Sequence, residues 1–323
     1  MNWLGFGGTP LDIEINLANS DQLRQVLGKN EAGEVEPLYL LTQGDNVCGS
    51  VQVKYKGKKV EHLGIKVELI GQIEFMHDSG NPHEFTSLER PLEEAGEITS
   101  DRSYSFEFLN VDKPYESYSG NNVRLRYFLR VKVARQYASN IVKTLDLAVQ
   151  NLQAEPEANH GIKMEVGIED CLHIEFEYNK SKYHLSDVVI GKIYFLLVRI
   201  KIKHMEVVII KRESCSSGTG ASGTFNESEN ISKYEIMDGA PVRGESIPIR
   251  LFLSPYDLTP TQRSVQNKYS VKYYLNLVLV DEEDRRYFKQ QEITLYRRQY
   301  RTIRQGEFEE HKAKAAAAAA GSS

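Results

Sequence analysis

The chain has 323 residues, of which 41% are hydrophobic and 26% are charged. These fractions are those of a folded globular protein and exclude a mainly disordered chain. The formal net charge is -5, and the 40 basic and 45 acidic residues are interspersed, so the sequence offers no basic surface of the kind that binds nucleic acid. A chain of this length can form two domains, each with its own core.

The sequence predicts a cytosolic protein. Its three cysteines, Cys48, Cys171 and Cys215, are odd in number and far apart, which favours a reducing compartment over a disulfide framework. The start of the chain has neither a basic segment nor a sustained apolar run, so we expect no secretion signal. In the most hydrophobic region the longest uncharged apolar run is residues 193–198, whereas a membrane span needs about 20 residues.

Alternating hydrophobic and polar residues predict β-strands throughout the first half. Residues 11–17 alternate without interruption, which is typical of a strand with one buried face. A connection with a short helical turn is expected at residues 22–27. Further strands are predicted, separated by turn signals, at residues 39–41, 46–55, 60–75, 84–88, 103–109, 123–133 and 141–152.

Three segments of the first half have counterparts in the second half at nearly one spacing. Residues 47–53 resemble 189–195, residues 104–108 resemble 247–251, and residues 126–129 resemble 272–275. Because the three matches keep their order, they indicate a duplicated unit of roughly 145 residues.

The polar residues 154–161, which contain Pro156 and Gly161, are the best candidate for a linker between the two units. The sequence therefore predicts an all-β protein with two tandem sandwich domains. Their expected bounds are residues 1–155 and 162–297, with the linker at residues 156–161 and a polar tail at residues 298–323.

The second half carries the same kinds of signal. A flexible Ser/Gly-rich loop is expected at residues 214–229, and a charged hairpin turn at residues 281–286. Strands are predicted at residues 172–178, 188–210, 271–280 and 287–295.

No motif of a known enzyme class is found in the sequence. It lacks a Walker-type phosphate loop, His-Glu-x-x-His, Gly-x-Ser-x-Gly and Cys-x-x-Cys. A zinc site is conceivable because four side chains of ligating types lie in the same region, but their spacing matches no recurring zinc motif, and polar strand faces are the favoured interpretation. These residues are Cys171, His173, His184 and His204.

Glu175 and Glu177 lie in the strand that follows the expected linker, where the two sandwiches would meet. They are therefore candidates for a partly buried polar contact between the domains, which would fix the domain orientation more than it would add stability. The alternative is exposed surface charge, which contributes little.

Several longer segments resemble one protein family. They are residues 113–118 (KPYESY), 122–129 (NVRLRYFL), 162–182, 233–242 (KYEIMDGAPV) and 281–289 (DEEDRRYFK). These segments are similar to the arrestin-like small subunit of retromer, the vacuolar protein sorting twenty-six family, and the resemblance extends over about residues 13–295. It implies two arrestin-like β-sandwich domains and a non-enzymatic protein. From the residues themselves we expect neither a cofactor nor a metal.

The resemblance also implies partners. Members of the family join a large α-solenoid subunit and, with sorting nexins that contact lipid, return transmembrane cargo from endosomes to the Golgi or the cell surface. We therefore expect a cytoplasmic protein that associates peripherally, and indirectly, with endosomal membranes.

The family's contact with the solenoid subunit matches residues 234–239 here, which assigns Tyr234, Ile236 and Met237 to that interface. Adjacent residues of a strand point to opposite faces, so one member of the pair Ile236 and Met237 is expected to lie outside the core, as an interface residue would. A strand end with one inward and one rim residue also fits the sequence.

Cargo motifs in the family bind beside a Phox-homology sorting nexin by adding a strand to the C-terminal domain. That role matches Tyr287, Phe288 and Lys289, and it requires an exposed strand edge. The alternative is that Phe288 is a core residue. Gln43 stands where vertebrate members that bind a PDZ-containing sorting nexin have an acidic residue, so that partner is not predicted.

Two other functional classes stay open. An arrestin-related adaptor that recruits a ubiquitin ligase or receptor tails would be expected to carry Pro-Pro-x-Tyr, which the sequence lacks. An enzyme is the weakest of the three interpretations.

Overall fold

The computed structural model describes residues 9–76, 81–168, 170–216 and 224–298. Within these residues, one short 3-10 turn at Ser20–Gln22 accompanies twenty β-strands. The all-β prediction is confirmed, and no described helix is long and apolar enough to span a bilayer.

The first half contains two sheets. Its strands are β1 Leu11–Leu17, β2 Gln25–Lys29, β3 Val35–Thr42, β4 Val47–Tyr55, β5 Val60–Phe75, β6 His83–Ile98, β7 Arg102–Phe108, β8 Tyr118–Ser119, β9 Val123–Ala134 and β10 Ile141–Gln150. One sheet has the order β1-β4-β7, and the other has the order β2-β3-β10-β9-β5-β6 with β8 paired to β9.

The second half also contains two sheets. Its strands are β11 Ile162–Ile168, β12 Leu172–Tyr178, β13 Lys182–His184, β14 Val188–Val198, β15 Ile202–Ser216, β16 Thr224–Asp238, β17 Ser246–Phe252, β18 Gln262–Val265, β19 Tyr269–Asp281 and β20 Arg286–Tyr296. One sheet has the order β11-β12-β14-β17, and the other has the order β13-β20-β19-β15-β16 with β18 paired to β19.

The two halves repeat one topology. The order β3-β10-β9-β5-β6 of the first half corresponds strand for strand to β13-β20-β19-β15-β16 of the second. Among the described strands, each half has one parallel pairing, and the two correspond, since β3 runs parallel to β10 and β13 runs parallel to β20. The chain is therefore a tandem of two arrestin-like sandwiches, as the repeat in the sequence predicts.

Each sandwich buries the apolar face of its alternating strands. In β12, for example, Leu172, Ile174, Phe176 and Tyr178 are buried, while the residues between them lie towards solvent. One large hydrophobic cluster contains buried residues of both halves, and in it Tyr118 stacks on Tyr269 with ring centroids 5.9 Å apart. The two sandwiches are thus in direct apolar contact.

Two local predictions are wrong. The helical turn expected at residues 22–27 is replaced by β2, which pairs with β3 in a hairpin, because the alternating residues Gln25–Lys29 find a partner strand there. The loop expected at residues 214–229 is largely strand, since β15 extends to Ser216 and pairs with β16 from Thr224 onwards. Residues 217–223 of that prediction lie outside the described residues.

The charged hairpin turn at residues 281–286 is confirmed, because β19 ends at Asp281 and β20 begins at Arg286. The strand predicted at residues 141–152 is also confirmed as β10, which ends two residues earlier than expected. The expected tail beyond Arg298 lies outside the described residues.

Candidate protein-interaction site

Strand β16 lies at the edge of its sheet, and within the described residues its ladder partner is β15 alone. An edge strand presents unpaired backbone N–H and C=O groups, which makes it a place where another chain can bind. Tyr234, on this strand, keeps 39% of its surface exposed. The segment from Tyr234 to Gly239 therefore combines an open edge with an accessible aromatic side chain.

A β-bulge interrupts β16 at Ile236. Met237 lies opposite Met205 and Glu235 lies opposite Glu206, so Ile236 is an extra residue without a partner. Ile236 and Met237 are both half-buried and pack against the core cluster.

The expectation that one of Ile236 and Met237 lies outside the core is wrong, because a bulge breaks the strict alternation of faces on which it rests. The strand ends at a sharp turn, where Gly239 has φ 108° and its N–H donates to the carbonyl of Lys203 at 2.8 Å. Bulge and turn together set the shape of this rim.

Phe288 lies on β20 and is 65% exposed, so it is not a core residue. One edge of β20 pairs with β19 from Arg286 to Ile293, and Phe288 lies opposite Val278 there. The other edge pairs with β13 only from Thr294 to Tyr296. On this second edge, residues 286–293 have no ladder partner among the described strands. An exposed aromatic side chain thus stands beside an open strand edge.

Tyr287 connects this strand to the acidic turn. Tyr287 is half-buried, and its hydroxyl donates to Asp281 Oδ2 at 3.1 Å. Asp281 also accepts from Arg285 Nε at 2.7 Å. Burial alone would raise the pKa of the Asp281 carboxyl, but the hydrogen bonds from Arg285 and Tyr287 outweigh burial and hold that pKa below its ordinary value. The charged carboxylate fixes the turn and with it the start of β20.

Lys289 lines a groove of about 770 Å³, and the other residues that line it belong to β11, β12 and β14. Met164 and Phe176 contribute apolar surface to the groove, and Glu165 and Glu175 contribute charge. The open edge of β20 therefore borders a cavity with both apolar and polar lining.

Glu175 and Glu177 do not lie between the two halves, so the prediction of an interdomain contact there is wrong. Glu177 accepts from the Tyr194 hydroxyl at 3.2 Å and lies 3.6 Å from Lys163 Nζ, both within the second half. Glu175 is exposed. The reason is that these residues occupy the outer face of β12, whereas its other face packs into the core.

The four side chains considered for zinc do not come together as one group. His184 is buried beside Tyr296, with its Nδ1 accepting from the N–H of Ser186 at 3.2 Å. His173 lies instead on the outer face of β12, near Glu165 and Glu175. Among the described residues this is the one group of three or more potential metal ligands within reach of one another.

The polar contact between the two halves is centred on Glu213 of β15, which the sequence did not single out. Only 5% of Glu213 is exposed. Its carboxylate accepts from the Tyr118 hydroxyl at 2.6 Å, from the Asn122 N–H at 2.8 Å and from Asn122 Nδ2 at 3.0 Å. Burial, and then the bond to Glu213, raise the pKa of the Tyr118 hydroxyl, so that it stays protonated as a donor.

Gly120 permits this approach of the carboxylate. A Cβ at Gly120 would lie 1.7 Å from Glu213 Oε2 and 2.7 Å from the Tyr118 hydroxyl oxygen, which no side chain tolerates. The polar contact between the halves therefore depends on a glycine at this position.

A second polar contact joins the halves at Glu116. Arg297 donates to its carboxylate from Nη2 at 2.8 Å and from Nε at 3.1 Å, and Gln262 Nε2 donates to its backbone carbonyl at 3.2 Å. Glu116 belongs to the segment KPYESY, so the sequence gives a signal for one side of the contact. Fork-shaped arginine–carboxylate pairs of this kind define relative orientation.

Comparison with known proteins gives consistent matches. The family model described as vacuolar protein sorting-associated protein 26 matches residues 7–284. The protein named vacuolar protein sorting-associated protein 26 from Dictyostelium discoideum is 61% identical over 293 residues, which covers 90% of this chain and 83% of the relative. Vacuolar protein sorting-associated protein 26B from Danio rerio is 58% identical over 300 residues, covering 92% and 89%. The Homo sapiens protein of the same name is 57% identical, covering 92% and 88%.

Proposed function

The chain belongs to the vacuolar protein sorting-associated protein 26 family, and on that premise we propose that it is the arrestin-like subunit of a retromer coat. In this role it binds a large α-solenoid subunit and, together with a Phox-homology sorting nexin, captures the cytosolic tails of transmembrane cargo for retrieval from endosomes. It does so as a non-enzymatic scaffold that associates with endosomal membranes through its partners.

The solenoid subunit is assigned to the rim formed by Tyr234, Ile236 and Met237. Three features support the assignment: the open edge of β16, the bulge that brings two apolar side chains to the rim, and the partly exposed tyrosine beside them. Apolar and aromatic side chains at the centre of an interface contribute most of its binding energy. The acidic Glu235 and Asp238 form a polar rim around them.

Cargo is assigned to the open edge of β20 at Tyr287, Phe288 and Lys289. The single observation that carries this part of the proposal is the 65% exposure of Phe288 beside an unpaired stretch of strand. Backbone groups of the open edge supply affinity for an added peptide strand, and the exposed ring and neighbouring groove supply side-chain selectivity.

Phe288→Asp is expected to weaken cargo binding at least 10-fold, because it replaces an exposed apolar contact of about 1.4 kcal/mol or more by a charge that must be desolvated. The measurement is fluorescence anisotropy of a labelled cargo-tail peptide titrated with the chain in the presence of the sorting nexin. Since Phe288 contributes no core packing, the thermal midpoint should not fall.

Phe225→Asp is the matched control for this experiment. Phe225 is likewise a surface phenylalanine, 49% exposed, but it lies on β16 in the same half, away from the β20 edge. Cargo binding equal to wild type in Phe225→Asp and reduced in Phe288→Asp supports the proposal. Equal binding by all three proteins would reject the assignment of cargo to β20.

A further inference from the structure

The outer face of the β11–β12 hairpin brings three potential metal ligands together. His173 and Glu175 are two residues apart in β12 and therefore share one face of the strand. Glu165 of β11 lies directly opposite Glu175 in the ladder. One ligand atom from each side chain lies within 4.8 Å of the other two. Ligands of a tetrahedral zinc ion are about 3.4 Å apart, given bond lengths of about 2.0–2.1 Å, so small side-chain rotations suffice to close the group around an ion.

One cross-strand pair of residues on this face lacks the positive charge that the neighbouring pair has. At the neighbouring rung, Glu177 lies opposite Lys163, with carboxylate and ammonium 3.6 Å apart. Glu165 and Glu175 are two carboxylates directly opposite each other, and within the described residues neither has a lysine or arginine nitrogen within ion-pair distance. Like charges in that position destabilise a strand pair, whereas a bound divalent cation would turn the repulsion into attraction.

The surroundings of the His173 imidazole also favour a bound cation. Its Nε2 is shielded from solvent, has no hydrogen-bond partner, and lies 3.7 Å from Glu165 Oε2. A neutral imidazole nitrogen without a donor is available to a metal ion. One nitrogen and two carboxylate oxygens suit zinc, while magnesium and calcium prefer oxygen ligands alone.

We propose that Glu165, His173 and Glu175 form a zinc site on the outer face of the second sandwich. Water supplies the fourth ligand, since the two carboxylate ligands, Glu165 and Glu175, are exposed to solvent. Among the described strands, β11 pairs only with β12, and the ion cross-links these two strands. Glu165, Glu175 and Lys289 all line the same groove. Zinc would therefore stabilise the wall of that groove.

The test is isothermal titration calorimetry of the untagged full chain with zinc chloride at neutral pH. Wild type is expected to bind one zinc ion per chain. His173→Ala should weaken binding at least about 10-fold because it removes the one nitrogen ligand, and Glu165→Gln should weaken it because a neutral amide is a poorer ligand than a carboxylate. Because all three side chains are on the surface, these variants should fold normally.

Two matched controls identify the site. Glu177→Gln alters the next carboxylate on the same face and should bind zinc as wild type does. Cys171→Ser removes a half-buried thiol nearby and should do the same. A thermal midpoint that rises by about 4 °C at 100-fold excess over the dissociation constant in wild type, and stays unchanged in His173→Ala, would support the proposal. Absence of saturable binding, or binding unaffected by His173→Ala, would overturn it.

Discussion

The double variant Ile236→Asp/Met237→Asn is expected to lose binding to the large solenoid subunit by at least 100-fold, which corresponds to about 2.8 kcal/mol of binding free energy. The two side chains lie side by side at the bulge of β16, and each replacement introduces a polar group that must be desolvated when the partner covers it. Isothermal titration calorimetry with the purified solenoid subunit measures the effect.

Two further variants keep this result interpretable. Ile236 and Met237 also pack against the core, so the thermal midpoint of the double variant has to be compared with wild type. Tyr234→Ala removes a side chain that is 39% exposed and should weaken binding about 10-fold without loss of stability. Phe225→Asp, at the other end of the same strand, should bind normally. If the double variant folds and binds with wild-type affinity, this rim is not part of the interface with the solenoid subunit.

Glu213→Ala is expected to lower the free energy of unfolding by about 3–5 kcal/mol. The substitution leaves the buried Tyr118 hydroxyl and the Asn122 N–H without their acceptor, and it empties the space that the carboxylate occupies between the two sandwiches. Denaturant unfolding, followed by far-ultraviolet circular dichroism, measures the change.

Glu213→Gln should cost less, because the amide oxygen still accepts a hydrogen bond from one of these donors. Glu107→Ala is the control, since Glu107 is exposed on β7 and its loss should change stability by no more than about 0.5 kcal/mol. If Glu213→Ala were as stable as Glu107→Ala, the contact centred on Glu213 would not hold the two halves together.

Periodicity explains why the strands could be predicted from the sequence. An alternating segment such as Leu172–Tyr178 buries one face whichever strand it pairs with, so the local sequence is enough to predict a strand there. The duplication was visible for the same reason, because matching strands such as β4 and β14 carry matching patterns. The prediction of a loop in the Ser/Gly-rich region is wrong because it rests on composition alone. The strands there are held by backbone pairing between β15 and the edge strand β16, which composition does not reveal.

The candidate site was only partly predictable. Resemblance assigns Tyr234 to Gly239 and Tyr287 to Lys289 to the candidate site, and that assignment stays a prediction. The bulge at Ile236 depends on the register between β15 and β16, which the sequence does not specify. Glu213 was missed because a single acidic residue inside a strand looks like any solvent-facing residue until its partners from the other half are known. Glu175 and Glu177 were wrongly placed between the halves because nearness to the linker in sequence does not imply nearness to the domain contact.

We propose that this chain is a scaffold subunit whose second sandwich binds an α-solenoid partner. The decisive experiment is size-exclusion chromatography with light scattering on an equimolar mixture of the chain and the purified solenoid subunit. We expect one peak whose mass is the sum of one copy of each protein. Two separate peaks, each at the mass of the free protein, would show that the two proteins do not bind.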